Sequence, residues 1–258
     1  MEKKINIKEK FLKDKQRYIT AIALILTVGL IALIDNFFIT WLFLGAAYVL
    51  SAHESIKLFK IDNNNIYFLL VFIWVVALFY PNPDDLSFLT IIILLSIMLY
   101  YQKMNFKLLY PFLYPVTPFL FVLALYHDFG MGVLIWLVIV VVCSDTGAYF
   151  VGKSIGKRKF SPISPNKTIE GVIGGIVIAS IVGAAYGLNF VGFWLSLFVS
   201  FATSVAAIYG DLFESYLKRE AGVKDSGNIL PGHGGVLDRV DGYLFAVVVM
   251  VILLRGLA

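Results

Sequence analysis

Nine apolar runs, separated by short polar stretches, leave this chain few folds to choose from. They lie at roughly 18–34, 36–52, 66–80, 86–101, 109–126, 131–150, 171–189, 191–210 and 242–257 of the 258 residues. A helix needs about 20 apolar residues to cross the hydrocarbon core of a bilayer, with about 17 to 25 the usual range. Inside that core every backbone N–H and C=O must be paired within the protein, so runs of this length read as helices. The chain is 60% hydrophobic and 15% charged, whereas soluble domains are about half apolar and about a quarter charged. An all-α polytopic membrane protein of about nine transmembrane helices, forming one membrane domain, is expected. Several runs are short, and snorkelling or local thinning would cover the deficit. The fifth run holds Pro111, Pro115 and Pro118. Prolines there remove donors and free carbonyls, so this span is expected to be bent or broken.

The charge distribution orients the spans. Cytoplasmic loops of membrane proteins collect Lys and Arg. With the N-terminus inside, the tail and loops 53–65, 102–108, 151–170 and 211–241 hold twenty of the 21 basic residues. The outside loops hold no Lys or Arg but contain Asp35, Asp84, Asp85 and Asp128. The expected topology is therefore N-terminus cytoplasmic and C-terminus outside, with Arg255 as the one exception. Residues 1–17 carry seven basic side chains against three acids. This tail reads either as a short interfacial helix on anionic lipid or as a frayed basic end. The single cysteine, Cys143, excludes an intramolecular disulfide and a cysteine-based metal cluster within one chain. The three histidines lack zinc spacing.

Three stretches carry chemistry. Asp145, between Ser144 and Thr146, closes the sixth run, and an ionisable residue at membrane depth is a functional candidate by default. The segment Gly147–Ser154 matches a phosphate-loop spacing, but its interior is Ala-Tyr-Phe-Val and it closes a membrane helix, so that reading is rejected. The second stretch is Ser164-Pro165-Asn166-Lys167-Thr168-Ile169-Glu170. Ser164 reads as an N-cap with proline at the first helical position. A helix N-terminus beside Lys167 favours an anion.

The third stretch is the densest. Asp211, Glu214, Ser215 and Lys218 share one helical face. Arg219, Lys224, Asp225, His233, Asp238, Arg239 and Asp241 follow, around the turn Pro231-Gly232-His233-Gly234-Gly235. Carboxylates suit Mg²⁺, which takes one or two of them along with substrate phosphates and water. Basic side chains stabilise charge on a transferring phosphorus centre, and glycines let backbone approach phosphates.

The spacing Ser215-x-Leu217-Lys218-Arg219, then Lys224-Asp225-x-Gly227, then Leu230-Pro231-x-His233-Gly234-Gly235-Val236-x-Asp238-Arg239-Val240-Asp241 resembles the phosphatidate cytidylyltransferase signature throughout its 27 residues. The stretches around Asp145 and Lys167 are similar to other blocks of that family. The resemblance covers roughly 105–258, taken as catalytic spans with cytoplasmic loops 151–170 and 211–241. Residues 1–104 match only in being apolar and are taken as N-terminal spans with a basic tail.

The resemblance implies that the chain transfers a cytidylyl group from CTP to phosphatidate. CDP-diacylglycerol and pyrophosphate would be the products, as a step in phospholipid biosynthesis. It implies Mg²⁺, with K⁺ as a candidate second cation, held by Asp211 and Asp238. Lys167, Lys218, Arg219 and Arg239 would neutralise the triphosphate. Lys224, Asp225, His233 and Asp241 would shape the site or orient the nucleophile, with His233 either a base or a structural histidine of its turn. Asp145, Ser164, Asn166, Thr168 and Glu170 would support substrate binding. A homodimer in the cell's inner or plasma membrane is expected, its site facing the cytoplasm. CTP, phosphatidate and membrane lipids are the expected partners, and no nucleic acid. An enzyme with another lipid acceptor, an intramembrane aspartyl protease using Asp145 and Asp211, and a transporter are the competing readings. The protease reading leaves Lys218–Asp241 unexplained, and against the transporter reading nothing repeats and the charge clusters at one face rather than mid-membrane.

Overall fold

The computed structural model describes residues 7–257, with side chains from residue 18 onward. Eight α-helices follow one another: α1 (Ile7–Ile34), α2 (Phe37–Leu58), α3 (Asn65–Phe79), α4 (Leu86–Tyr100), α5 (Thr117–Ile155), α6 (Ile169–Gly187), α7 (Phe193–Ala221) and α8 (Leu237–Leu257). Six helical segments are long and apolar enough to cross a membrane, and Tyr18–Ile34 and Asn65–Phe79 are shorter apolar helices. Among the described residues every regular element is a helix, and the protein is a multi-pass membrane protein. The two readings of the basic tail fall on residues 1–17, whose side chains lie outside those described.

The fifth and sixth apolar runs are not separated by a loop. They meet inside α5, where Gly130 alone leaves helical geometry (φ 78°, ψ −179°). Contacts on either side of it reveal a chain reversal. Before α5 begins, the Tyr114 ring packs on Phe213 and Phe245 at 5.0 and 6.1 Å. Just before the break, Asp128 accepts a 2.7 Å bond from Arg255, near the end of α8. Beyond it, Asp145 returns to the electrostatic neighbourhood of Asp211 and Arg239. A positive φ costs an ordinary residue energy that glycine does not pay, which is why one residue suffices for the turn.

The proline-rich segment is broken as its composition predicts. A 3-10 turn (Phe106–Leu109) leads into a π turn (Phe112–Val116) in which Tyr114 is extended. The freed carbonyls find side-chain donors, one from α2 and one from the next turn. Ser55 Oγ donates to Tyr114 O and Thr117 Oγ1 to Phe112 O, each at 2.8 Å.

Arg255, the basic residue outside the basic loops, is paired across the bundle. Its guanidinium forks onto Asp84 at 2.6 and 3.0 Å and reaches Asp128. Two acids from the lysine-free loops therefore neutralise it.

Small residues then draw the helices of the C-terminal half together. A Cβ on Gly175 of α6 would stand 2.5 Å from Ser144 O of α5, and one on Gly210 of α7 would stand 2.5 Å from Asp241 O of α8. Backbones approach this closely only where no side chain intervenes, a common device between membrane helices. Each contact lies next to an acid, Asp145 in the first case and Asp211 in the second.

Candidate active site

The site begins at the C-terminal turns of α7. Twenty-nine residues make a helix about 44 Å long, against about 30 Å for a hydrocarbon core, so the end of α7 outruns the apolar zone. The polar face predicted there is real. Ser215 Oγ donates to Asp211 Oδ1 at 3.3 Å, and Lys218 pairs with Glu214 one turn back at 2.5 Å. Lys218 Nζ also donates to Asp238 Oδ1 at 2.7 Å, tying α7 to the first turn of α8.

Asp238 is saturated with donors. Its Oδ2 accepts Ser226 N–H at 2.9 Å, Ser226 Oγ–H at 3.0 Å and Gly235 N–H at 2.8 Å. Glu54 of α2, 1% exposed, fills the space beside it. Its Oε1 accepts Val236 N–H at 3.1 Å, its Oε2 accepts Leu237 N–H at 2.8 Å, and the Ser226 hydroxyl, 3.0 Å from Oε2, shares its one proton between this oxygen and Asp238 Oδ2. The first amides of α8 are therefore taken by protein carboxylates. A Cβ at Gly227 or Gly235 would run into the Glu54 carboxylate. These two glycines admit a buried acid, where the sequence had led us to expect a close approach to phosphate.

The second long loop is a small hairpin. Phe160 N–H donates to Lys167 O and Ile169 N–H to Arg158 O, both at 2.9 Å. Its tip is Ser164-Pro165-Asn166-Lys167, closed by Lys167 N–H on Ser164 O at 3.1 Å. This corrects the expected cap. The hairpin commits the backbone through Ile169, so helix α6 starts there, and its N-cap is Thr168, whose Oγ1 accepts Gly171 N–H at 3.1 Å. Pro165 and Asn166 serve the turn, as their preferences allow. Lys167 leaves the hairpin and forms an ion pair with Asp211 of α7. Glu170 faces the other way, accepting Lys157 and Arg158 N–H and pairing with the Arg158 guanidinium at 3.0 Å.

Asp145, Lys167, Asp211, Glu214, Lys218, Asp238, Arg239 and Asp241 thus act on one another at one end of the bundle. Acids outnumber bases. Glu214 Oε1 and the Tyr114 hydroxyl are buried without a hydrogen-bond partner, and Tyr114 lies in the field of Asp211, Glu214, Asp238 and Asp241. The other candidates sit at the margin. Arg219 donates to Val223 O at 3.2 Å near the end of α7, and Lys224 and Asp225 are exposed. His233 closes its turn through its backbone, donating to Leu230 O and accepting from Arg239 Nε at 3.1 Å, while its Nδ1 is buried without a partner. The Gly147–Ser154 segment is plain helix, Ser154 Oγ bonding back to Phe150 O.

Among the described residues no three His, Cys, Asp or Glu side chains converge tightly enough to cage a metal. Mg²⁺ does not require a cage, because phosphates and water complete its shell. The chemistry of the donors fits at Asp211, which is partly exposed and holds only Lys167 and a long bond from Ser215. At Asp238 the four bonds leave an opening only if Lys218 gives up Oδ1.

Sequence reasoning overlooked Glu54 and Ser226. The rule that singled out Asp145 applies equally to Glu54, an acid inside an apolar helix. What concealed it was distance, since its partners lie 172 to 183 residues away.

A bundle of apolar helices with an acid–base cluster built from Lys167, Asp211, Lys218 and Asp238 at one end defines a class, an integral membrane enzyme. The comparisons make it specific. Residues 15–257 match the model of the cytidylyltransferase family, and the chain belongs to that family. It is 44% identical over 242 residues to a protein of Helicobacter pylori named phosphatidate cytidylyltransferase, covering 93% of this chain and 91% of the relative. A protein of the same name from a second Helicobacter pylori strain is 43% identical, with 96% and 94% covered. One from Bacillus subtilis is 50% identical over 122 residues, covering 46% of this chain and 45% of that protein.

Proposed function

We propose that this chain transfers the cytidylyl group of CTP to phosphatidate. A non-bridging oxygen of the phosphatidate phosphomonoester attacks the α-phosphorus of CTP. A new P–O bond forms, the bond from the α-phosphorus to the α–β bridging oxygen breaks, and pyrophosphate leaves with that electron pair. The carrying observation is the meeting of Lys167, Asp211, Lys218 and Asp238 from three separate elements at one end of the bundle. The ionised phosphomonoester is already nucleophilic, so positioning and charge stabilisation carry most of the rate.

In this reading Lys167, Arg219 and Arg239 meet the triphosphate. Lys167 would leave Asp211 as phosphate arrives. Lys218 stays between Glu214 and Asp238 and turns its charge on the developing pyrophosphate. Asp211 would hold Mg²⁺, with Asp238 beside it, and K⁺ is the candidate second cation. Bound there, the metal offsets phosphate charge and polarises the α-phosphorus. Asp145 and Asp241 line the acidic side, and Lys224, Asp225 and His233 shape the entrance. Ser164, Asn166, Thr168 and Glu170 act through the hairpin that presents Lys167.

The two limbs of α5 bring the apolar segments to nine, which supports nine crossings. The lysine-free loops with Asp84 and Asp128 then face outside, and both long basic loops face the cytoplasm of the inner or plasma membrane. CTP reaches the site from water, and phosphatidate keeps its acyl chains in lipid. The family resemblance adds a homodimer to this reading.

The test is purified protein with CTP, phosphatidate and Mg²⁺. CDP-diacylglycerol and pyrophosphate should form in equal amounts. Folded protein that makes neither would overturn the reading.

A further inference from the structure

Glu54 of α2 is the one N-terminal residue described at the site, and the reading of the transfer reaction gives it no role. Three donors converge on its two oxygens: the N–H groups of Val236 and Leu237, and the hydroxyl of Ser226. The amides belong to the start of α8, where the helix dipole favours negative charge. An N-cap normally comes from the residue just before its helix; here an acid some 180 residues upstream helps to supply it. Ser226 is shared. Its hydroxyl lies 3.0 Å from Glu54 Oε2 and 3.0 Å from Asp238 Oδ2, while its own N–H is 2.9 Å from Asp238 Oδ2. Asp238 in turn receives Lys218. A continuous chain of contacts therefore runs Glu54–Ser226–Asp238–Lys218–Glu214.

We propose that Glu54 is a positioning residue for the transfer reaction, holding the start of α8 and the Ser226 loop so that Asp238 keeps Oδ1 on Lys218 and fixes that cation at the reaction centre. The proposal rests on the reading above in which Asp238 and Lys218 belong to that centre. It gives the N-terminal half a specific task. It also explains why positions 227 and 235 are glycine, since a side chain at either would displace the Glu54 carboxylate. Apolar packing alone would not require an acid here. A buried carboxylate is costly unless every lone pair is used, and removing one partner of such a network exposes the full penalty.

Two variants and their combination test it. Glu54→Gln keeps the shape but puts an NH₂ where donors already converge. Ser226→Ala leaves both Glu54–amide bonds and the Ser226 N–H on Asp238, and removes only the hydroxyl that bridges Glu54 to Asp238. Each should lower kcat about 10- to 100-fold, with the KM for phosphatidate within about twofold. The double variant should be no slower than the worse single, because both break one relay. Independent structural damage would multiply instead, and that result would overturn the proposal. So would a kcat for folded Glu54→Gln within about twofold of the parent. If Glu54→Gln does not fold, Ser226→Ala decides, and an unchanged kcat there overturns the proposal. Amide exchange at Val236 and Leu237 gives a readout independent of turnover. It should speed up in Glu54→Gln and stay unchanged in Ser226→Ala. Unchanged exchange in Glu54→Gln would refute the cap even if the chain made no CDP-diacylglycerol.

Discussion

Lys218 and Asp238 stand twenty residues apart in sequence and 2.7 Å apart in space, and the bond between them closes the signature segment into a ring. The ring carries the Gly-rich turn on one side and rests on Glu54 on the other. Lys218 → Met would strand Glu214 and Asp238, both poorly hydrated. Breaking a buried pair from one side costs about 3–5 kcal/mol. The expected outcome is a lower melting temperature in detergent together with loss of transfer activity. Glu214→Gln with Lys218→Met should recover part of the stability and none of the activity.

Asp211 should behave differently from Asp238. Its pair with Lys167 is partly exposed, and such pairs contribute little, about 0–1 kcal/mol. Asp211→Asn should therefore melt close to the parent. If it holds Mg²⁺, the Mg²⁺ concentration for half-maximal rate should rise about tenfold or more, a factor worth about 1.4 kcal/mol. Titration of rate against Mg²⁺ in both proteins checks this. EDTA should abolish turnover and leave the helical content intact.

Arg255→Gln removes the cation from two acids, one of them, Asp84, 7% exposed. The bidentate fork on Asp84 and the single bond to Asp128 are both lost. A destabilisation of about 1–3 kcal/mol is expected, read as a lower melting point. The folded fraction should keep its kcat, because this clamp lies at the end of α8 remote from Asp238.

Gly210→Ala places a methyl 2.5 Å from Asp241 O, a backbone atom that cannot swing aside. Helices α7 and α8 must separate by several tenths of an ångström, carrying Asp211 away from Asp241. Activity should fall by about 100-fold, since small misplacements at a reacting centre are that costly. A kinetic assay alongside a melting curve separates this from unfolding.

Topology can be read by labelling. In a Cys143→Ser background, a cysteine at Lys159 should be labelled by a membrane-impermeant maleimide only in inside-out vesicles, and one at Asp85 only in right-side-out vesicles. The reverse pattern would invert the proposed orientation.

Sequence by itself determined the class of fold and where along the chain the polar cluster would form. The apolar runs demanded helices, because unpaired backbone is not tolerated in hydrocarbon. The periodicity of Asp211, Glu214, Ser215 and Lys218 put them on one face, and their contacts agree. The prolines at 111, 115 and 118 foretold the broken segment. These are local properties, set within a turn or two of chain.

The tertiary structure decided what depends on distant partners. The α6 cap fell at Thr168 rather than Ser164, because cross-strand bonds to Arg158 and Lys167 fixed the backbone first. Gly130 turned an expected loop into a one-residue reversal. Arg255 found its acids across the bundle, and Glu54 found α8 across most of the chain. A buried charge is stable only beside its partner, and no pattern of spacing within α2 could say where that partner would be.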